Sequence, residues 1–364
     1  MAEETFKCIS INSADPYTRG IQYGEQAKEL IYRGIEGYQR HFSKTLQMDW
    51  NSITTKSSLY LDLLERDFLD ELEEARGIAD GSGTKLEEIL ALNCRYEILK
   101  HKAQECTTGV VLPAASADGQ STYLMQNWDY RPWVERHAVV VSIDNGTGLH
   151  IVGVTEAGQL VRNGMNNFGI GLCANNLTSV FDTGEVGAPV TFVRRKALNS
   201  RSFEEVCENV RNNKRGVSCN FMLASAEGVG VDLEATPGGV FKVFPENNIV
   251  THANHMVAGH AFCTNQGTKF RDEVLRRRLE KCSGQLDIYR IQQCLKDHET
   301  FPGAPDTYPE GNCIEAVCSH VPHGDYDEDK VWKTISSSVY DLNGKTAYIC
   351  KGCPCEGTYI SYKV

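Results

Sequence analysis

The chain is short of positive charge. Its 364 residues hold 37 Lys and Arg against 48 Asp and Glu, a formal charge of -11. That deficit argues against a nucleic-acid partner, because phosphate binding rests on clustered Lys and Arg. The one basic run, Arg276-Arg277-Arg278, lies among Glu273 and Glu280 at helical spacing and reads as a solvated helix face. No apolar run is long enough to span a bilayer, so no membrane partner is expected. The start, Met1 to Phe6, is acidic and lacks the apolar centre of a secretion leader. The end, Ser361-Tyr362-Lys363-Val364, is not a peroxisomal address. Without a leader, a cytoplasmic setting with mostly reduced thiols is expected for the 14 cysteines. Most then serve as small buried apolar residues. Internal repeats, low-complexity tracts and clear linkers are also lacking. What remains, 41% hydrophobic and 23% charged residues, is an ordinary globular composition, long enough for one large domain or two smaller ones.

The apolar pattern changes character once. Asp15-Pro16 opens a helix, with Asp as N-cap and Pro at the first helical position. Ile21, Ala27, Leu30, Ile31, Ile35, Tyr38 and Phe42 continue it at helical spacing. A second helix is expected through Leu59, Leu63, Leu64, Phe68, Leu72, Ala75 and Ala79, stopping at Gly81-Ser82-Gly83. Thr84 and Glu87 are placed for a capping box on a third, ending near His101. Residues 1–105 therefore read as a helical segment. Beyond them strands dominate: 107–112, 122–128, 138–143, 149–154, 169–174, 220–225, 229–235, 239–244, 333–342 and 346–350, with Asn145-Gly146 and Asn343-Gly344 as turns. Helices are expected at 190–199, 202–213, 268–282 and 287–298. Strand blocks separated by helix pairs predict an α+β fold with sheets packed face to face and helices outside.

Cys106 stands at the boundary between the two textures, at the head of a strand. A thiol attacks well only as thiolate and needs a base or a lowered pKa. No histidine is paired locally with Cys106. The α-amino group of a freed Cys106, with a reference pKa of about 7.7–8.0, supplies a base on the same residue. That arrangement requires cleavage of the Glu105–Cys106 bond, which the thiol itself can attack to give a thioester that water opens. The bland alternative is a core cysteine beginning a strand.

Four blocks change the balance: Cys106-Thr107-Thr108; Gln126-Asn127-Trp128-Asp129; Asn163 to Leu172; and Thr251-His252-Ala253-Asn254-His255. In order and spacing they resemble the isopenicillin N acyltransferase family, self-processing N-terminal-nucleophile hydrolases. The tail Lys351 to Glu356 is similar to that family's closing segment. The resemblance runs along nearly the whole chain. It implies a four-layer αββα sandwich, with 1–105 as the α subunit and 106–364 as the catalytic β subunit after autocleavage at Glu105 and Cys106, the two fragments remaining associated. It implies Cys106 as nucleophile, Asp129 as the holder of its amino group and Asn254 as the oxyanion-hole amide. Asn175, or nearly as well Asn176, is implied as a substrate or oxyanion contact. Thr108 either assists processing or bonds the nucleophile, and reads equally as a strand Thr pairing across the sheet. Relatives often carry an Arg near the stretch Ala316 to His320; here none is present, and only a protonated His320 could replace it.

The expected reaction is cleavage or transfer of the acyl group of a small N-acyl amide through a thioester on Cys106, with hydrolysis slightly favoured because it needs no second site. A coenzyme A thioester is the alternative acyl partner. The competing class is a non-catalytic binding protein on the same scaffold; the joint presence of Cys106, Asp129 and Asn254 counts against it. No cofactor or metal is expected. Cys350, Cys353 and Cys355 have close thiol spacing, but a second thiol pair at finger spacing is missing unless Cys313 and Cys318 serve, so they read as incidental thiols at a hairpin end. His252, His255 and His260 are a weaker metal grouping.

Overall fold

The computed structural model describes residues 5–99, 106–265, 267–300 and 315–364. Helices α1 (Pro16–Leu46), α2 (Trp50–Ser58), α3 (Leu61–Asp67), α4 (Leu69–Ser82), α5 (Leu86–Asn93) and α6 (Arg95–Leu99) fill the N-terminal part. The Asp15 carboxylate accepts from Thr18 N at 2.7 Å, and Pro16 follows as the first helical residue, as expected. The single helix expected through Leu59 to Ala79 is instead two. Phe68 leaves helical geometry (φ -140°, ψ 41°) to bury its ring, and the chain restarts as α4. That helix ends on Gly83 in the left-handed region, φ 74°, where glycine carries no steric penalty. The third cap is displaced by one residue: Glu88 accepts from Lys85 N at 3.0 Å, while the Thr84 hydroxyl pairs with Ser82. His101 lies outside the described residues.

The N-terminal part is not wholly helical. Strand β1 (Lys7–Asn12) pairs in parallel with β4 (Ala138–Asp144). The other strands are β2 (Cys106–Val111), β3 (Tyr123–Tyr130), β5 (His150–Glu156), β6 (Asn163–Asn166), β7 (Ile170–Cys173), β8 (Cys219–Ser225), β9 (Val229–Thr236), β10 (Gly239–Val243), β11 (Ile249–His252), β12 (Lys333–Asp341), β13 (Thr346–Lys351) and β14 (Tyr359–Lys363). Among the described residues one sheet runs β1-β4-β5-β6-β7-β8-β9-β10 and the other β11-β2-β3-β12-β13-β14. Strands β1, β6, β11 and β14 are additions to the sequence reading. Three of them are four or five residues long, or rich in Asn and Gly, too little to show a period of two.

The sheets face each other through alternate residues. Val110 of β2 and Leu124 of β3 join Leu172 and Leu223 of the other sheet in one core. Their neighbours Val111 and Met125 point outward into a second core with Val274, Leu275, Leu279, Ile291 and Leu295. Those residues belong to helices α9 (Lys269–Lys281) and α10 (Ile288–Leu295). Helices α7 (Val190–Ala197) and α8 (Phe203–Arg211) complete the set, with α8 against β8 and β9. The result is the expected αββα layering. Both faces of β2 and β3 are buried, which is why their sequences read as continuous rather than alternating runs.

Residues 5–99 are woven into this body. Glycines spaced four apart let α1 and α4 cross in backbone contact: a Cβ on Gly20 would lie 2.1 Å from Glu74 O, and one on Gly77 2.0 Å from Tyr17 O. Arg95 Nη2 reaches Glu156 Oε1 of β5 at 2.6 Å, and Tyr38 donates to Glu156 Oε2 at 2.6 Å. Glu74, on α4, takes Arg19 Nε at 3.3 Å and Arg195 Nη2 of α7 at 2.8 Å, all three buried. Although burial opposes it, Arg195 and then Arg19 hold the Glu74 carboxyl below its ordinary pKa. Its stabilisation is therefore complete above the unfolded glutamate value of about 4.3 and is lost as pH falls through the lower folded value. Glu74→Ala leaves two buried guanidinium groups uncompensated. It should cost about 3–5 kcal/mol in urea unfolding at pH 7, with the gap to the parent narrowing in acid.

Candidate active site

The register of three strands builds the site. Cys106, first residue of β2, lies opposite Trp128 of β3, which puts Asp129 one step beyond it at the open end of the pair. A shift in register between Thr334 and Ser336 brings Thr334 of β12 opposite Asp129. The Thr334 hydroxyl donates to Asp129 Oδ1 at 2.6 Å, and Ser319 Oγ donates to Oδ2 at 3.4 Å. The Cys106 thiol, 5% exposed, faces the backbone carbonyl of Asp129, Sγ to O 3.9 Å. Burial, and after it the Asp129 carboxylate, push the thiol up to about 12, so in the continuous chain it is protonated at neutral pH.

Asn254 follows β11, the neighbour of β2. Its Oδ1 accepts from Cys106 N at 2.7 Å, and its Nδ2 donates to Asn176 O at 3.0 Å. The amide thus turns its oxygen to the Cys106 nitrogen, whereas the resemblance implied an N–H aimed at an oxyanion. Asn175 has a different surrounding. Its Nδ2 lies 3.0 Å from each of Thr108 Oγ1, His252 O and Ala253 O, and its Oδ1 accepts from Gln126 at 3.2 Å. Thr108 in turn donates to His252 O at 3.3 Å. Asn175 and Thr108 therefore tie the 252–254 turn to β2, and through it fix Asn254. Glu105 lies outside the described residues.

The sequence reading passed over Arg271. It enters from the first turn of α9 and is fully buried. Nη2 donates to Asn254 Oδ1 at 2.9 Å and lies 3.4 Å from Cys106 O; Nη1 is 3.7 Å from Asp129 Oδ2. Arg271 is thus a buried cation at the site that reaches it from α9, while the stretch Ala316 to His320 carries no Arg. The available signal was Thr268 followed three residues on by a lone Arg, apart from the surface run at 276–278. Thr268 Oγ1 accepts from Asn254 N at 3.0 Å, which fastens the start of α9 to the site.

The three histidines named as a weak metal grouping are separated in role. His252 is buried with Nε2 3.0 Å from Glu234 and 3.5 Å from Asp232. Burial opposes protonation, but Asp232 and Glu234 outweigh it and raise His252 to about 9. His255 stacks on it with ring centroids 5.8 Å apart; burial and the neighbouring His252 charge lower it to about 4. His260 is exposed. Glu234 also accepts from the backbone of Val257 and Gly259, so the triad closes the turn that carries Asn254. A groove of about 490 Å³ lined by Leu112, Phe203, Leu233, Phe244 and Pro245 lies at the opposite end of β2 from Cys106.

Two sheets between helical layers, antiparallel apart from the β1–β4 pair and with a cysteine at the head of one inner strand, define an N-terminal-nucleophile hydrolase fold. Residues 116–355 match the family model described as acyl-coenzyme A:6-aminopenicillanic acid acyl-transferase, and the chain belongs to that family. The match begins after Cys106. The acyl-coenzyme A:6-aminopenicillanic-acid-acyltransferase 40 kDa form of Emericella nidulans is 28% identical over 253 residues, 67% of this chain and 68% of that protein. Solved structures with a similar trace include a Caenorhabditis elegans N-acylethanolamine-hydrolyzing acid amidase ortholog (TM-score 0.45, 15% identity, 65% of this chain and 93% of that one). Penicillin V acylase from Agrobacterium tumefaciens is another (TM-score 0.45, 13% identity, 71% and 86%). No helix among the described residues is long and apolar enough to cross a membrane.

Against burial, the Asp129 backbone carbonyl and after it the charges of Arg271 and Arg194 draw the Cys106 thiol down. Arg271→Met should slow alkylation of Cys106 by iodoacetamide at pH 8 about tenfold, the effect of one pKa unit on thiolate fraction. Peptide mapping that compares Cys106 with exposed Cys8 in the same sample reads this directly.

Proposed function

We propose that the protein is a self-processing cysteine amidohydrolase or acyltransferase in which Cys106 is the nucleophile. The observation that carries this reading is the 2.7 Å bond from Cys106 N to Asn254 Oδ1, beside a thiol at the head of β2 and the Arg271 guanidinium. That acceptor holds the nitrogen which becomes an α-amino group once the Glu105–Cys106 bond is opened. The thiol, pushed up by burial, needs a base, and the free amine of its own residue supplies one without a positioning cost.

The steps follow from these groups. The thiol proton passes to the amine and sulfur attacks the substrate carbonyl carbon. Negative charge gathers on the carbonyl oxygen. Asn254 serves it by exchanging its Nδ2 bond to Asn176 O for one to the oxyanion; a donor of this kind contributes roughly 2.7–4 kcal/mol in comparable sites. The tetrahedral adduct collapses, the C–N bond breaks, and the ammonium returns its proton to the departing amine. The acyl group rests on sulfur as a thioester. Water, or an amine acceptor, attacks next with the α-amino group again as base, and the C–S bond breaks. Asp129, held by Thr334 and Ser319, balances the Arg271 and ammonium charges.

Amide hydrolysis of a small N-acyl compound is the favoured outcome, with N-acyl amino acids, lactam side chains and β-alanyl amines as substrate classes. Transfer from a coenzyme A thioester is the alternative, and needs a second acceptor site. Residues 1–105 and 106–364 stay together after scission as a heterodimer in a reducing, cytoplasmic setting.

N-terminal sequencing of the purified protein should find Cys-Thr-Thr-Gly-Val. Cys106→Ala should leave a single 40.5 kDa chain on a denaturing gel and abolish amide cleavage. A parent protein that turns over fully as one unbroken band would defeat the reading.

A further inference from the structure

The C-terminal tail returns to the body of the protein where side chains from three separate segments meet. His298 follows α10, Cys318 and His320 lie in the turn ahead of β12, and Cys355 lies between β13 and β14. Each brings one donor atom, and all four atoms lie within 4.8 Å of one another. His298 Nε2 is 3.2 Å from His320 Nε2. Cys318 Sγ and Cys355 Sγ are 3.4 and 3.2 Å from His320 Nε2, and 3.7 Å from each other.

These separations have a simple geometric meaning. A tetrahedral ion with sulfur at about 2.3 Å and nitrogen at about 2.0–2.1 Å has edges of about 3.8 Å between sulfurs, about 3.3 Å between nitrogens and about 3.6 Å between unlike donors. Four of the six edges of such a polyhedron are present at these lengths, and the two from His298 to the sulfurs are no longer than 4.8 Å. His320 directs its other nitrogen, Nδ1, toward Glu356 Oε1 at 3.7 Å, the carboxylate-behind-imidazole arrangement that orients metal-bound histidine. The expectation of incidental thiols at this hairpin end had looked for a second thiol pair; the partners are imidazoles, 35 and 57 residues upstream of Cys355 in the sequence. Cys353 also borders the cluster, its side chain hydrogen-bonded to Cys318 and His320, while its thiol lies 3.3 Å from Ser319 O and 3.5 Å from Thr334 O, carbonyls outside the four-donor set. Cys313 lies outside the described residues.

We infer that His298, Cys318, His320 and Cys355 form a Cys2His2 site for a structural zinc ion. Four protein donors close the coordination shell, so the ion holds structure rather than activating water. Mixed thiolate and imidazole donors select zinc over magnesium or calcium. The site braces the candidate active site from behind. Ser319 stands between two of the donors, its hydroxyl shared between Ala316 O at 3.0 Å and Asp129 Oδ2 at 3.4 Å and its N–H given to Thr334 Oγ1 at 2.9 Å, and Thr334 donates to Asp129 in turn. Fixing residues 318–320 therefore fixes the carboxylate next to Cys106.

The test needs no knowledge of the substrate. The full untagged chain, produced with zinc in the medium and desalted, should carry about one zinc per chain by elemental mass spectrometry. Cys355→Ser and His298→Ala should each reduce this at least fivefold, while Cys207→Ser in α8 keeps it. Replacement by cobalt(II) should give thiolate-to-cobalt charge transfer and the intense visible bands of a tetrahedral ion. A parent chain that holds no zinc and takes up neither metal overturns the assignment. So does unchanged metal content in both variants, or a non-reduced mass showing a disulfide among these thiols.

Discussion

Arg271 has no exposure to water, and its two terminal nitrogens face different groups: Asn254 and the Cys106 carbonyl on one side, Asp129 on the other. A buried carboxylate beside a thiol would otherwise oppose every ionised form of that sulfur. The guanidinium offsets it, and its rigid fork fixes distances that a lysine could not. Much of the rest of the site exists to keep this cation placed. Thr268 fastens the start of its helix, Asn175 and Thr108 fasten the turn it meets, and Glu234 with His252 closes that turn from below.

The roles of the asparagines follow from the same geometry. Asn175 spends its amide on the Thr108 hydroxyl, the His252 and Ala253 carbonyls and Gln126, contacts that hold the turn before Asn254. Asn254 presents opposite ends of one amide to two tasks, its oxygen to the Cys106 nitrogen and its N–H to a neighbouring carbonyl. Spacing alone does not separate these functions, because both residues follow strands and both are polar in a buried setting.

Legibility in the sequence tracked how local the cause was. The N-cap at Asp15, most strands and the outer helices were readable from turn chemistry and periodicity. Cys106, Asp129 and Asn254 were readable only as blocks in order. Arg271 was missed because its partners lie 17, 142 and 165 residues away, and the Thr268 to Arg271 spacing is too short a pattern to separate a buried arginine from a surface one. Phe68 shows the same limit on a smaller scale: its helical periodicity was correct, but the core pulled the ring inward and broke the helix. The tail thiols were visible, while their imidazole partners were dispersed.

The pairing of β1 with β4 carries a consequence for the lifetime of the protein. Six residues from the beginning of the chain cover the rim of the larger sheet, from Lys7 beside Val139 to Asn12 beside Asp144. A bare rim of Val139-Val140-Val141 is an adhesive template for foreign strands. Whatever happens to the backbone ahead of Cys106, the early segment acts as a permanent selvedge: shedding it would unravel the fabric rather than release a finished catalyst.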